Sequence, residues 1–312
     1  MKILVTGGAG FIGSNLANLL AARGEEVWAL DDYSLGVPGN LDKRVHALRA
    51  SVTDRDALLR AAQGSDVVYH LAARSSVTMV DDDPVLAEAV NVGGFLNVLE
   101  AARKTGIGSV VYASTSSMYS GVKPPHREDA VIVPNTLYEQ NFLAREQIAS
   151  VYYRNYGLRT VGMRFFSVYG PNEWHKGKYA NLVSQFIWAM MKGERPVIYG
   201  DGTQTRDLTH VQDVCEALIL ASSAKGAEGQ VFNVCTGKAT SLNDLVKVIA
   251  DELKLDIEPV YIKNPLKSYV AHTLGDPSKA ERILGFKAKI DLRTGVARLV
   301  AENRKRLASG EK

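Results

Sequence analysis

Apolar positions in the first half of the chain follow two alternating rhythms. Short continuous apolar runs predict buried strands over Lys2–Thr6, Glu26–Leu30, Val45–Leu48, Asp66–Leu71, Ser109–Ser114 and Leu158–Phe165. Between them, apolar residues return every three or four positions, which predicts helices over Phe11–Ala22, Arg55–Ala62, Pro84–Thr105 and Thr136–Tyr156. Pro84 suits a first helical turn, where its missing N–H would have no partner anyway. On the Thr136–Tyr156 helix, Leu137, Phe142, Ile148 and Ala149 make a packing face, with Arg145 and Glu146 pointing outward. Strands apolar on both faces, separated by helices, require a parallel sheet covered on each side.

After residue 170 the rhythm is irregular. Helices are expected over Tyr179–Lys192, Val211–Ala221, Leu242–Leu253, Ser278–Leu284 and Leu292–Leu307, with short strands over Pro196–Tyr199, Gln230–Val234 and Pro259–Ile262. The pattern divides the chain into a first domain over 1–170 and a smaller mixed α/β lobe over 171–312, some of whose segments return to the first domain. Specificity for a substrate is expected in that lobe.

The composition narrows the class. With 46% hydrophobic and 23% charged residues in 312, the chain can bury a full core, which excludes disordered and fibrous readings. A net charge of +3 is too small and too mixed for a nucleic-acid surface. Cys215 and Cys235 are too few for a disulfide framework, and they suit a reducing, cytoplasmic compartment. His175 and His210 have no Cys or His neighbour at ligand spacing, so no metal is expected. There is no run of roughly 18 apolar residues, so no membrane span is expected. Gly7, Gly8 and Gly10 cut short the only N-terminal run a signal peptide would need.

The densest chemical signal is Thr6-Gly7-Gly8-Ala9-Gly10-Phe11-Ile12-Gly13, which comes directly after a strand and opens a helix. Gly7 and Gly10 allow a tight turn and close approach to a pyrophosphate. Gly13 allows the helix to lie against the sheet, and the first-turn N–H groups of Phe11 and Ile12 are placed to meet phosphate charge. Asp31 and Asp32 end the second strand. A carboxylate there accepts the adenosine ribose hydroxyls and repels a 2′-phosphate, and no Lys or Arg occurs before Lys43, so the pattern favours NAD over NADP. Alternatively, Asp31 caps the next turn.

Further motifs run in order along nearly the whole chain. They are His70-Leu71-Ala72-Ala73, the Asn91–Glu100 stretch, Ser114-Thr115-Ser116-Ser117-Met118-Tyr119, Arg164–Pro171, Gly200–Asp207 and Asp276–Ala280. Together with the glycine cluster they resemble the extended short-chain dehydrogenase/reductases of the nucleotide-sugar epimerase/dehydratase group. The resemblance implies a Rossmann-type doubly wound parallel sheet, tightly held NAD, a nucleoside-diphosphate sugar and a homodimer built on the two long helices. It assigns NAD contacts to Asp31, Leu71, Ala72, Ala73 and Tyr138, with Asn91 supporting the cofactor site. Tyr138 becomes the general base, with Thr115 and Ser116 beside the sugar. Arg74, Ser167, Asn181, Arg206 and Lys267 fall where members of the group contact the substrate. Arg206 has a physical rationale of its own, since a guanidinium fork matches a diphosphate, although an ion pair with Asp207 or Asp213 is the alternative. Asn181 equally begins an apolar helical stripe, and His70 reads as a satisfied residue at a strand end.

Dehydratase members carry an Asp-Glu pair after the hydroxyl residue, and decarboxylase members a Glu in the same stretch; here Ser116 and Ser117 come after Thr115. A hydroxyl of high pKa cannot replace a carboxylate in acid–base work, which favours epimerisation at C4 through a transient 4-keto sugar, with UDP-glucose and UDP-galactose the default pair. One departure is serious. The group places a lysine four residues after the tyrosine, where it lowers the phenol's pKa and bonds the nicotinamide ribose. Here Tyr138-Glu139-Gln140-Asn141 leads into Phe142. A three-unit shift, about 4 kcal/mol between protonation states, is at stake. Arg145, two turns along, is about 10 Å away along the axis and long for a direct contact. The chain is thus a variant with rearranged chemistry, one substituted at its catalytic helix, or a protein that binds NAD or nucleotide sugar without turnover. If the first two hold, Phe142→Lys should raise turnover.

Overall fold

The structure, a computed structural model, describes residues 1–264 and 270–310. Its centre is a seven-stranded, all-parallel sheet built from β1 (Lys2–Thr6), β2 (Glu26–Asp31), β3 (His46–Arg49), β4 (Val67–His70), β5 (Ser109–Thr115), β6 (Thr160–Phe165) and, much later in the chain, Gln230–Val234. The spatial order is β3-β2-β1-β4-β5-β6 and then that late strand. Its register runs Val161↔Gln230 through Phe165↔Val234. Every residue of β4 and β5 is buried, as expected of strands covered on both faces.

Helices α1 (Phe11–Ala22), α2 (Arg55–Ala62), α3 (Val77–Asp82), α4 (Pro84–Glu88), α5 (Gly94–Thr105) and α6 (Leu137–Tyr156) belong to the first half. Their ends obey local chemistry. Asp54 caps α2 by accepting from the N–H groups of Asp56 and Ala57. Thr136 caps α6 by accepting from Glu139 N–H, and Gly157, at φ +67°, ends it in the left-handed conformation. One face of the sheet is covered by α2, α5 and α6. The other is covered by α1 with two helices from the second half, Val211–Ser223 and Ser278–Leu284. The sheet is therefore doubly wound.

The second half adds α7 (Leu182–Met191), β7 (Val197–Tyr199), β8 (Thr205–Arg206), α8 (Val211–Ser223), β9 (Gln230–Val234), β10 (Thr240–Ser241), α9 (Leu242–Leu253), β11 (Val260–Ile262), α10 (Ser278–Leu284) and α11 (Leu292–Ala308). Its own core joins Val183, Phe186 and Ile187 of α7 to Leu245, Val246 and Ile249 of α9 and Val296, Leu299 and Val300 of α11. Two short ribbons, β7 with β11 and β8 with β10, complete the lobe.

Two expectations are corrected. The helix expected over 84–105 is interrupted by a π-helical turn at Ala89–Gly93 between α4 and α5. That turn widens the spiral and releases the Asn91 carbonyl, which accepts from Arg145 Nε at 2.5 Å. The same 22-residue stretch is long and apolar enough to cross a membrane by length and composition, one 18-residue window of it having mean hydropathy 1.3, although it holds no unbroken run of 18 apolar residues. Here its Phe95, Val98, Leu99 and Ala102 pack against the sheet. The second correction concerns α6, whose packing face includes the charges. Arg145 is fully buried and Glu146 is buried, while Leu137 is 54% exposed. Glu146 accepts from Arg164 of β6 through both oxygens, at 2.9 and 2.7 Å, and from Ser114 Oγ at 2.6 Å. Polar partners on the sheet, invisible to helical periodicity, draw this face inward.

Candidate active site

A large cleft of about 580 Å³ lies at the carboxyl ends of β1, β2, β4, β5 and β6, roofed by the second half of the chain. This is where ligands bind in open α/β sheets. Gly7, Gly10, Phe11, Ile12, Gly13, Asp31, Asp32, Leu71, Ala72, Ala73, Arg74, Thr115, Ser116, Tyr138, Ser167, Asn181 and Arg206 all line it. Among the described residues singled out from the sequence, Asn91 alone does not. It is fully buried behind the wall, accepting from Arg74 N–H at 2.8 Å and donating to Arg74 O at 3.2 Å. Asn91 thus supports the loop after β4 from behind, its amide bonded to that main chain. Lys267 lies outside the described residues.

At one end the backbone itself makes the cradle. Gly7 adopts φ +67°, and a Cβ there would stand 2.6 Å from Ala72 N. A Cβ on Gly13 would stand 2.0 Å from Gly7 O and 2.8 Å from Gly7 C. Gly10, the N-cap of α1, offers no side chain to its first turn, so the N–H donors at Phe11, Ile12 and Gly13 meet the cleft without a side-chain partner. Gly13→Ala is expected to cost about 2 kcal/mol in urea unfolding, since the clash is with backbone that cannot rotate away. Gly39→Ala, whose nearest neighbour is 4.0 Å off, should be near neutral. Equal midpoints for the two variants would refute the close approach.

Asp31 serves two purposes. Its Oδ2 accepts from Ala9 N–H at 3.0 Å and its Oδ1 from Tyr33 N–H at 2.8 Å, so it caps the next turn and also faces the cleft. Burial pushes its pKa up, opposed by those two donors. Arg206 Nη1 donates to Thr205 O at 2.8 Å and Ala271 O at 3.0 Å. The alternative ion pairs for it are not favoured, because Asp207 accepts from Thr236, Gly237 and Gly275, and Asp213 from Lys289 and Ile290 N–H. Ser167 stands at φ +33°, and Asn181 caps α7 by accepting from Val183 N–H while lining the cleft. Lys176, His175 and Thr273 also line the cleft, unannounced by the sequence. His175 and Lys176 sit on a short 3₁₀ segment, Trp174–Tyr179, and Thr273 on a loop, with no motif to mark them.

At the other end, Tyr138 Oη donates to Thr115 Oγ1 at 3.3 Å, and Thr115 Oγ1 also accepts from Ser117 N–H at 3.1 Å. Burial pushes the Tyr138 phenol above its ordinary value, opposed by the Thr115 bond and the Arg145 charge. Phe142 is 3% exposed, its ring 4.8 Å from that of Tyr138, within a small cluster with Val80, Ala87 and Met118. His70 is fully buried, bonded to Thr6 Oγ1 at 2.8 Å and stacked on Phe95, and burial holds its imidazole neutral. It is a structural residue.

A glycine-rich phosphate cradle at the head of a parallel sheet, with a hydroxyl pair beside the same cleft, is the architecture of a dinucleotide-dependent oxidoreductase-like enzyme. The chain belongs to the NAD dependent epimerase/dehydratase family, whose model matches residues 3–235. It is 35% identical over 308 residues to a UDP-glucose 4-epimerase of Mycolicibacterium smegmatis, spanning 96% of this chain and 97% of that protein. A UDP-glucose 4-epimerase of Thermotoga maritima, solved with UDP-glucose, superposes with a TM-score of 0.94 at 33% identity, over 98% of this chain and all of that one. The Thermus thermophilus UDP-glucose 4-epimerase complex with NAD gives a TM-score of 0.88 at 32% identity, over 97% and 99% of the two chains.

Proposed function

We propose that this chain binds NAD across the cleft and interconverts the C4 epimers of a UDP-sugar, with UDP-glucose and UDP-galactose the default pair. The glycine cradle, the open first turn of α1 and the Asp31 carboxylate fit a dinucleotide's pyrophosphate and ribose. NAD held there would supply reversible hydride chemistry. Tyr138 takes the proton of the sugar hydroxyl and gives it back. Thr115, whose oxygen already accepts two bonds, keeps its own hydroxyl hydrogen to donate to the sugar. Arg206, Asn181 and Ser167 hold the nucleotide, leaving the sugar room to turn.

The reading is carried by the two serines next to Thr115. Ser116 and Ser117 line the cleft beside Tyr138, where elimination or decarboxylation would call for a carboxylate. Glu173 also lines the cleft but is committed, accepting from Asn181 N–H at 2.7 Å and Ser184 Oγ at 2.6 Å. The purified chain should release NAD on denaturation and bring UDP-glucose and UDP-galactose to one common mixture from either side. A single persistent keto product, or release of carbon dioxide, would overturn epimerisation. A second reading, binding without turnover, is favoured by Phe142. Its signature is bound cofactor with no sugar conversion even at high pH, where Tyr138 ionises unaided.

A further inference from the structure

Arg145 is the largest fully buried side chain among the described residues. It is fully buried, and among the described residues no Asp or Glu forms an ion pair with it. Its guanidinium donates instead to main-chain carbonyls: Nε to Asn91 O at 2.5 Å, Nη2 to Ala72 O at 3.0 Å and Nη1 to Ala113 O at 3.5 Å. Ala72 and Ala113 line the cleft. The guanidinium carbon lies 4.6 Å from the centre of the Phe142 ring, which also packs on the ring of Tyr138. A buried guanidinium with no carboxylate costs several kcal/mol unless something else uses its charge.

We propose that Arg145 is the positioning residue for the Tyr138 phenolate, supplying from one turn further along α6, across the Phe142 ring, the buried positive charge that a lysine at position 142 would provide. This deepens the proposed function and rests on it for its catalytic meaning. The ring is an apolar spacer only 3% exposed, so the charge acts over it with less screening than in water. Its face also attracts the guanidinium, holding it in place. Of the other described groups facing this pair, the Glu139 carboxylate is the one whose charge acts on the phenol in the opposite sense. From α6 there is Glu139, which is bonded to Ser120 Oγ and Asn135 N–H. From β5 come Tyr112 and Thr115, from β4 His70, and from α5 Phe95. Glu146, next to Arg145, is neutralised by Arg164. Burial pulls the guanidinium below its ordinary value, yet a guanidinium keeps its charge through the range in which a phenol titrates. A fully buried arginine, hidden from helical periodicity, and Phe142, in sequence a defect, are two parts of one arrangement.

The test reads Tyr138 itself. Full-length protein labelled at tyrosine Cζ with carbon-13 is titrated by NMR, with the Tyr138 signal assigned as the one lost in Tyr138→Phe. Arg145→Met and Arg145→Gln remove the charge, and Arg145→Lys keeps it while breaking the fork. The two neutral variants should raise the phenol midpoint by about one pH unit, roughly a tenfold loss of phenolate at fixed pH. Arg145→Lys should stay near the parent. Sugar turnover in the neutral variants should fall tenfold at neutral pH and recover on the alkaline side. A purely structural role for Arg145 would lower turnover at every pH and leave the midpoint in place, which would overturn the proposal. If the neutral variants fail to fold, Arg145→Lys decides alone, because a one-unit rise there would also overturn it. The midpoint needs no sugar, so a chain that proves unable to epimerise would still report on Arg145, and the two ideas fail separately.

Discussion

Tyr138→Phe is expected to slow sugar interconversion by about 10²- to 10⁴-fold, the range a positioned general base supplies, while leaving the fold intact. The asymmetry comes from the geometry. The hydroxyl's hydrogen bond to Thr115 is long, at 3.3 Å, so its net stabilisation is at most about 1 kcal/mol. The ring's packing against Phe142, Val80 and Met118 survives the change. What vanishes is the group that exchanges a proton with the sugar. The same residue sets the pH dependence. The reactive form is the phenolate, and burial places its pKa above the ordinary phenol value of about 10, so the deprotonated fraction, and with it the rate, climbs as pH rises through the alkaline range. Rates measured from neutral to alkaline pH on parent and variant check both points. A Tyr138→Phe enzyme with parental turnover would remove this residue from the chemistry.

The legible parts of this protein are the local ones. The bounds of β1, α1, α2, α9 and α10 match those expected from apolar periodicity, because each element's pattern is set by burial of one face against the sheet or neighbouring helices. The cleft lining was legible for a related reason. Residues that end parallel strands converge at one edge of the sheet, so Gly7, Asp31, Ala72 and Thr115 had to meet. Tertiary partners decided the rest. Arg145 is drawn inward by carbonyls from three separate segments, and Glu146 by an arginine on β6. The π-helical turn is invisible to a period of 3.6 because its residues remain helical in character. The lobe's contribution through Lys176 and Thr273 comes from segments whose path only the folded chain defines.

Phe142→Lys, the substitution that would restore the family's usual residue, is expected to destabilise the protein by about 3 kcal/mol rather than repair it. The reason is Arg145. An ammonium in place of the ring would stand about 5 to 6 Å from a buried guanidinium, and two like charges at that distance and an effective dielectric near 20 repel by about 3 kcal/mol. The lysine stem replaces much of the lost ring volume, so the cost is mainly electrostatic. The pH dependence has a definite sign. The neighbouring cation lowers the folded-state pKa of the new lysine, so the deficit is fully present below that lowered value and fades as pH rises from it to lysine's unfolded value of about 10.4. Adding Arg145→Met should relieve the repulsion, so the double variant should be more stable than the two single costs predict, by about the same 3 kcal/mol, in a double-mutant cycle of urea unfolding. It should also recover the Tyr138 midpoint that Arg145→Met alone raises. Additive single effects would mean that positions 142 and 145 do not share the task of holding one cation beneath the cleft, and Phe142 would then be a plain loss of the family's lysine.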